Sequence, residues 1–235
     1  MKNVGKAFEA LERRVISCRR CPRLVSWREL SARNPPKRFA DETYWARPLP
    51  AFGDIRARLL IVGLAPAAHG GNRTGRIFTG DESGRFLFRA LHAVGLANQP
   101  ESIRPGDGLE LRGALISAAV RCAPPANRPT PREFDNCRPY LAGELALLPS
   151  DAVLVALGSL AFDGILRVLA ERGELVPKPR PRFAHGARYS IGGHVLFATY
   201  HPSQQNTFTG KLTQGMLREV LRRARKEAGL RALSF

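Results

Sequence analysis

The segment GLAPAAHGGNRTGRIFTGD, Gly63 to Asp81, gathers five glycines, a histidine, two arginines, an aromatic ring and a carboxylate into one short stretch. It follows the apolar run LLIV (Leu59 to Val62) and precedes the amphipathic stretch ESGRFLFRALHAVGL. It therefore reads as a glycine-rich loop between a buried strand and a helix, the usual ligand position in α/β proteins. Phosphate is the first ligand to consider, because Gly70 and Gly75 have the spacing of a nucleotide-binding P-loop. The chemistry does not follow the spacing. Arg76 and Ile77 stand where Lys and Ser or Thr would grip phosphate and Mg²⁺, and LAPAAH offers no metal ligand, so nucleotide hydrolysis is not expected.

The second chemical signal is sulfur. The chain has four cysteines in two pairs: Cys18 and Cys21 in CRRC, and Cys122 and Cys137 at the ends of CAPPANRPTPREFDNC. A C-x2-C pair plus two more, with none left over in a chain that reads as cytosolic, argues for one four-thiolate metal site rather than disulfides. Zinc and a [4Fe-4S] cluster both accept four thiolates, so ligand type leaves both open. The wide spacing of the second pair and Pro22 directly after Cys21 point towards iron–sulfur. Either group would clip the N-terminal segment to a loop further along the chain.

The elements that must position these groups are legible as alternating strands and helices. Four apolar runs read as buried strands: LLIVGL from Leu59, ALISAAV from Ala114, AVLVALG from Ala152 and HVLFATY from His194. Helical patterns fall at about Gly84 to Val94, Arg132 to Leu147, Ser159 to Leu169 and Leu212 to Ala228, whereas Ser31 to Pro50 and Val176 to Arg188 read as long ordered loops. This alternation predicts an α/β fold with right-handed crossovers and functional groups at the carboxyl ends of the strands. The length of 235 residues fits a single domain, 1–235.

Charge narrows the partner. Lys and Arg number 37 against 20 Asp and Glu, a formal charge of +17 that suggests a polyanion. No apolar stretch reaches the ~18 residues of a membrane span and the N-terminus lacks a signal peptide's apolar core, so a cytoplasmic protein that binds nucleic acid rather than a membrane is expected. The last helix carries Arg218, Arg222, Arg225 and Lys226 largely off its apolar face of Leu217, Leu221 and Ala224. Direct phosphate contact and a docked helix with a solvated basic face are both open readings there.

Several motifs coincide in order along nearly the whole chain. GLAPAAHG after the first strand, RIFTGD before its helix, RCAPPANRPTP after the second strand and HPSQQNTFTGKLT after the last, together with the cysteine pattern, resemble the uracil-DNA glycosylase superfamily. They look most like its type B (family 5) iron–sulfur members. The resemblance implies a three-layer αβα sandwich around a four-stranded parallel sheet, a [4Fe-4S] cluster on Cys18, Cys21, Cys122 and Cys137, and excision of deaminated bases from double-stranded DNA. It implies a monofunctional hydrolase of N-glycosyl bonds that leaves an abasic site, since the motifs place no lysine as a Schiff-base nucleophile. A monomer is expected.

On this resemblance the loop would hold a base flipped out of the duplex. Gly63, Ala65 and His69 would line it, Phe78 would stack on the base, and Asn127 and His201 would reach its polar edge. His201 would stabilise the negative charge that gathers on the departing base, and Asp81 would position water and offset the positive charge of the sugar. Ser203, Gln205, Asn206 and Thr207 belong to the loop that superfamily members push into the duplex. Two departures matter. Leu64 and Ala65 replace the polar or acidic residue that most of the superfamily has after the first glycine, which leaves Asp81 as the carboxylate. Ala118 stands where iron–sulfur relatives of type A place a base-reading Asn, which should admit hypoxanthine and xanthine.

Structural readings compete with these. Thr79 and Glu82 have the spacing of a capping box, so Asp81 could serve the helix terminus alone. His201 could be a structural histidine at a strand end, Phe78 core packing, and Asn127 a turn residue. The functional alternative is a non-catalytic, basic iron–sulfur DNA-binding protein.

Overall fold

The computed structural model describes residues 2–231, so Met1 and residues 232–235 of the expected domain lie outside the described residues. Two N-terminal helices, α1 (Lys2–Ile16) and α2 (Pro22–Arg33), precede the sheet. The strands are β1 (Phe52–Gly53), β2 (Leu59–Gly63), β3 (Ala114–Ala118), β4 (Val153–Leu157), β5 (Arg188–Ile191) and β6 (His194–Thr199). The remaining helices are α3 (Gly71–Thr74), α4 (Glu82–Ala93), α5 (Pro131–Leu147), α6 (Ser159–Glu171), α7 (Gln204–Phe208) and α8 (Gln214–Glu227).

The sheet order is β1-β3-β2-β4-β6-β5. The middle four strands are parallel and correspond to the four apolar runs. The expected four-stranded sheet is thus the centre of a six-stranded one, because β1 pairs antiparallel with β3 and β5 antiparallel with β6. β5 and β6 form a hairpin whose two-residue turn is Gly192-Gly193, with Gly192 at φ 56°, a left-handed conformation that suits glycine.

β2, β3 and β4 are buried on both faces, as crossover connections require of a parallel sheet. Their side chains alternate between two cores. Leu59, Ile61, Val153 and Val155 pack with Leu87 and Phe88 of α4 and with Leu217 and Leu221 of α8. Leu60, Val62, Leu154 and Ala156 pack with Leu141 and Leu145 of α5 and with Phe162 and Ile165 of α6. Each such side chain contributes roughly 1.5–3 kcal/mol by leaving water. Three layers result, and α1 adds Leu11 and Val15 against Tyr140 on the outside of α5.

Two further expectations change, and one open reading narrows. The long loop expected from Ser31 begins inside α2, which runs to Arg33, and a single 3₁₀ turn follows at Lys37–Phe39. The cap of α4 is Asp81 rather than Thr79: Asp81 is extended (φ −141°) and its Oδ1 accepts from the Gly84 N–H at 2.8 Å. Glu82 pairs with Arg85 instead of reaching back to Thr79. On α8, Leu217, Leu221 and Ala224 are buried, Arg222 pairs with Glu219, and Arg225 donates to the Val94 carbonyl, so the docked-helix reading holds.

Candidate active site

The carboxyl ends of β2 and β6 lie one strand apart, separated by β4, and the two loops that leave them meet at Phe78 and His201. From β2 comes the turn that carries Phe78, and from β6 comes His201. Their rings are 5.9 Å apart and tilted by 32°. Phe78 sits at φ 51°, a left-handed conformation that strains a bulky residue by about 1–3 kcal/mol and that persists only when its surroundings enforce it. Two glycines make room for it. A Cβ on Gly63 would stand 2.7 Å from the Phe78 ring, and one on Gly84 would stand 2.0 Å from the Phe78 carbonyl oxygen. The glycine of the first motif therefore serves the aromatic ring, not a phosphate.

His201 is partly exposed, but the protein packed around it pushes its pKa down to about 4. It is a neutral imidazole at pH 7. Its backbone is fixed from two sides: Asn206 donates to the His201 carbonyl at 2.9 Å, and a Cβ on Gly158 would come within 3.2 Å of the His201 Cβ.

Asp81 combines both of its expected settings. Oδ1 caps α4, and Oδ2 points at Gly70, where a Cβ would stand only 2.0 Å away. Burial raises its pKa above the ordinary carboxylate range, against the pull of the Gly84 and Ser83 amides. His69, the neighbour of Gly70, pairs through Nδ1 with the Tyr44 hydroxyl at 2.9 Å, and burial together with Arg38 and Arg73 lowers its pKa.

Other expected residues sit differently. Asn127 is exposed, follows Ala126 in a second consecutive left-handed conformation (φ 55°), and its side chain makes no hydrogen bond among the described residues. Ala65 packs against the cysteine-lined wall. Ser203 precedes α7, Gln205 is exposed, and Thr207 is partly exposed beside it. Phe208, which ends α7, is 76% exposed and was not anticipated, although an aromatic inside the polar run QQNTFTGK is a visible signal.

Residues 50–225 match the sequence model of the Uracil DNA glycosylase superfamily. The chain belongs to the uracil-DNA glycosylase superfamily. It is 51% identical over 223 residues to a type-5 uracil-DNA glycosylase of Thermus thermophilus, covering 94% of this chain and 99% of that one. It is 52% identical to one of Mycobacterium bovis (91% and 79% covered) and 47% identical to one of Pyrobaculum aerophilum (94% and 94% covered).

In this glycosylase-family chain the four cysteines are free and line one cavity together with Arg121, Asn136 and Tyr140. Burial pushes the Cys122 thiol up to about 11 and the Cys137 thiol up to about 12. Arg28, 2% exposed, donates to the Cys122 sulfur at 3.0 Å, and Asn136 donates to the Cys21 sulfur at 3.3 Å. The buried Nε atoms of Arg28 and Arg121 and the Arg121 Nη1 have no partner. Arg121 donates through Nη2 to the buried Glu144 carboxylate, so two of its three nitrogens remain for the cavity. Four sulfur donors beside two buried guanidinium groups form a donor set suited to an anionic thiolate-ligated group. No three His, Cys, Asp or Glu among the described residues cluster tightly enough for a single ion. Arg23 on α2 grips Glu133 of α5 with both ends of its fork, at 2.8 and 2.7 Å, and so ties the helix capped by Cys21 to the helix that carries Cys137.

Proposed function

We propose that this chain is a monofunctional uracil-DNA glycosylase that removes uracil, and with it hypoxanthine and xanthine, from double-stranded DNA. The observation that carries this reading is the placement of the Phe78 ring 5.9 Å from a neutral His201 imidazole. A flat apolar face beside a hydrogen-bond donor suits a planar base whose edge is polar and whose leaving form is an anion.

The flipped base lies on Phe78. As the N-glycosyl bond lengthens, the electron pair stays with the base, and His201 donates a hydrogen bond to the oxygen where that charge collects. A neutral imidazole can do this without first losing a proton to solvent, because its pKa lies far below the working pH. The sugar turns cationic, the Asp81 carboxylate offsets that charge, and it orients the water that adds to the sugar. Asn127 completes the reading of the base edge once DNA orders its exposed loop. Gln205, Asn206 and Thr207, with Phe208 beside them, face the vacated base stack.

Cys18, Cys21, Cys122 and Cys137 would hold a [4Fe-4S] cluster. When bound, it staples the N-terminal helices to α5. The enzyme acts as a monomer in the cytoplasm. Among the described residues no helix is long and apolar enough to cross a membrane.

The decisive assay is base release from an end-labelled duplex with one U:G pair, followed by alkali, run beside hypoxanthine, xanthine and single-stranded uracil. Strand breaks only after alkali are expected. No release from any of these would leave a basic DNA-binding protein without chemistry. An absorption band near ~400 nm, lost with iron chelation, distinguishes the cluster from colourless zinc.

A further inference from the structure

Behind the Phe78 turn lies a buried ion pair that the reaction does not use. Arg76, 7% exposed, places Nη1 and Nη2 on the two carboxylate oxygens of Asp107 at 2.8 and 2.6 Å. Its Nε donates to the Thr79 hydroxyl at 3.0 Å and its Nη2 also to the Ser102 hydroxyl at 2.8 Å. Thr79 and Ser102 close the circuit at 2.6 Å, and the Gly80 N–H donates to the Ser102 carbonyl at 3.3 Å. Arg76 and Thr79 flank Phe78 on both sides. The shortest side-chain hydrogen bonds from this strained turn therefore run to one segment, Ser102 to Asp107, while Arg73 and Thr74 hold its backbone through the Gly80, Arg76 and Thr79 carbonyls.

That segment belongs to the connection between α4 and β3, residues 94–113, whose one strand-like bridge among the described residues is Ala97↔Leu111. A connection this long without regular structure is uncommon in a compact domain and usually has work to do. It is nevertheless rigidly built at its tip. Asp107 accepts from the amides of Ile103, Arg104 and Leu109 at 2.9, 3.2 and 3.1 Å, so its carboxylate is fixed before it meets Arg76. A bidentate Arg–carboxylate pair gives orientation as well as energy.

We propose that the α4–β3 connection is a brace for base recognition, in which Asp107, acting through Arg76 and Thr79, holds Phe78 in its left-handed conformation and so presets the stacking face. Asp107 and Arg76 are positioning residues. The inference rests on the reading of Phe78 as the base-stacking ring. It extends the functional site to a segment that shares no motif with it.

The test is Asp107→Asn, which keeps the shape but puts a donor against the Arg76 fork. Hydrogen exchange of the peptide spanning residues 76–81 should accelerate at least tenfold, while the unfolding midpoint drops by only a few degrees. Single-turnover release of uracil should fall about tenfold. Affinity for a duplex with a tetrahydrofuran abasic site, which offers no base to stack, should stay unchanged. In a Phe78→Ala background, Asp107→Asn should slow release no further. Unchanged exchange at 76–81, or an undiminished effect of Asp107→Asn in the Phe78→Ala background, overturns the brace. If Asp107→Asn does not fold, Ser102→Ala, which removes one hydroxyl from the same circuit, is read by the same measurements. Should the unaltered protein release no uracil, the glycosylase reading fails, and the exchange arm still decides whether the brace exists.

Discussion

Replacing Asp81 separates two roles that occupy one side chain. Its Oδ1 caps α4 through the Gly84 N–H at 2.8 Å, while Oδ2 faces Gly70. Asp81→Asn retains the capping oxygen and loses only the charge. Asp81→Ala loses both. Loss of a cap destabilises by about 1 kcal/mol, which lowers the unfolding midpoint of a domain this size by roughly 2–4 °C. Loss of a carboxylate that balances the sugar's charge and orders water should slow the chemical step by about 10²–10³-fold. Asp81→Asn is therefore expected to unfold within ~1 °C of the unaltered protein and to release uracil about 10²–10³ times more slowly under single-turnover conditions. Asp81→Ala should be equally slow and measurably less stable. Because burial raises the Asp81 pKa above the ordinary carboxylate range, the rate should fall on acidification through a value above that range. That acid limb should vanish in Asp81→Asn. Release by Asp81→Asn within threefold of the unaltered rate would refute the reasoning and leave Asp81 as a helix cap only.

Gly70→Ala should displace the Asp81 carboxylate, since a Cβ there would meet Oδ2 at 2.0 Å; an Asp81→Asn-like rate in a protein that still folds is expected by the same release assay. His201, with its pKa pushed down to about 4, stays neutral in the folded protein at pH values where the unfolded chain takes up a proton near its ordinary value of ~6.5. Its contribution is thus intact above ~6.5 and is lost as pH falls from there towards 4, and NMR of ring-labelled histidine should show a midpoint near 4 that His201→Asn abolishes. Phe208→Ala should leave the unfolding midpoint unchanged, because the ring is 76% exposed, while weakening productive binding to duplex more than to single-stranded uracil DNA, read as KM against kcat.

The central strands were legible because each is buried on both faces and so forms an unbroken apolar run. The edge strands were less so. β1 has only two residues, and β5 is mostly exposed, although the Gly192-Gly193 pair before HVLF is a hairpin signal in plain view. In α1, Phe8, Leu11 and Val15 carry helical spacing and are buried, so that helix could also have been read. For α4, Thr79 and Asp81 were both acceptable caps by composition. Backbone conformation decided between them, and the Thr79 hydroxyl went to Arg76 instead. The residues of the candidate site were nameable from their motifs, whereas the left-handed turn at Phe78 and its tie to Asp107 were not. A pair of side chains 31 positions apart leaves no periodic trace.

The cysteine cavity has a consequence in time. Its thiols come from residues 18 and 21 and from residues 122 and 137, so the compartment does not exist until α5 has been made. At ~5–20 residues per second, Arg33 at the end of α2 is added roughly 5–20 s before Cys137. Throughout that interval the first two thiols have no wall to close against. The four sulfurs are all present only once Cys137 has been added, and the docking of α2 onto α5 is what closes the compartment around them.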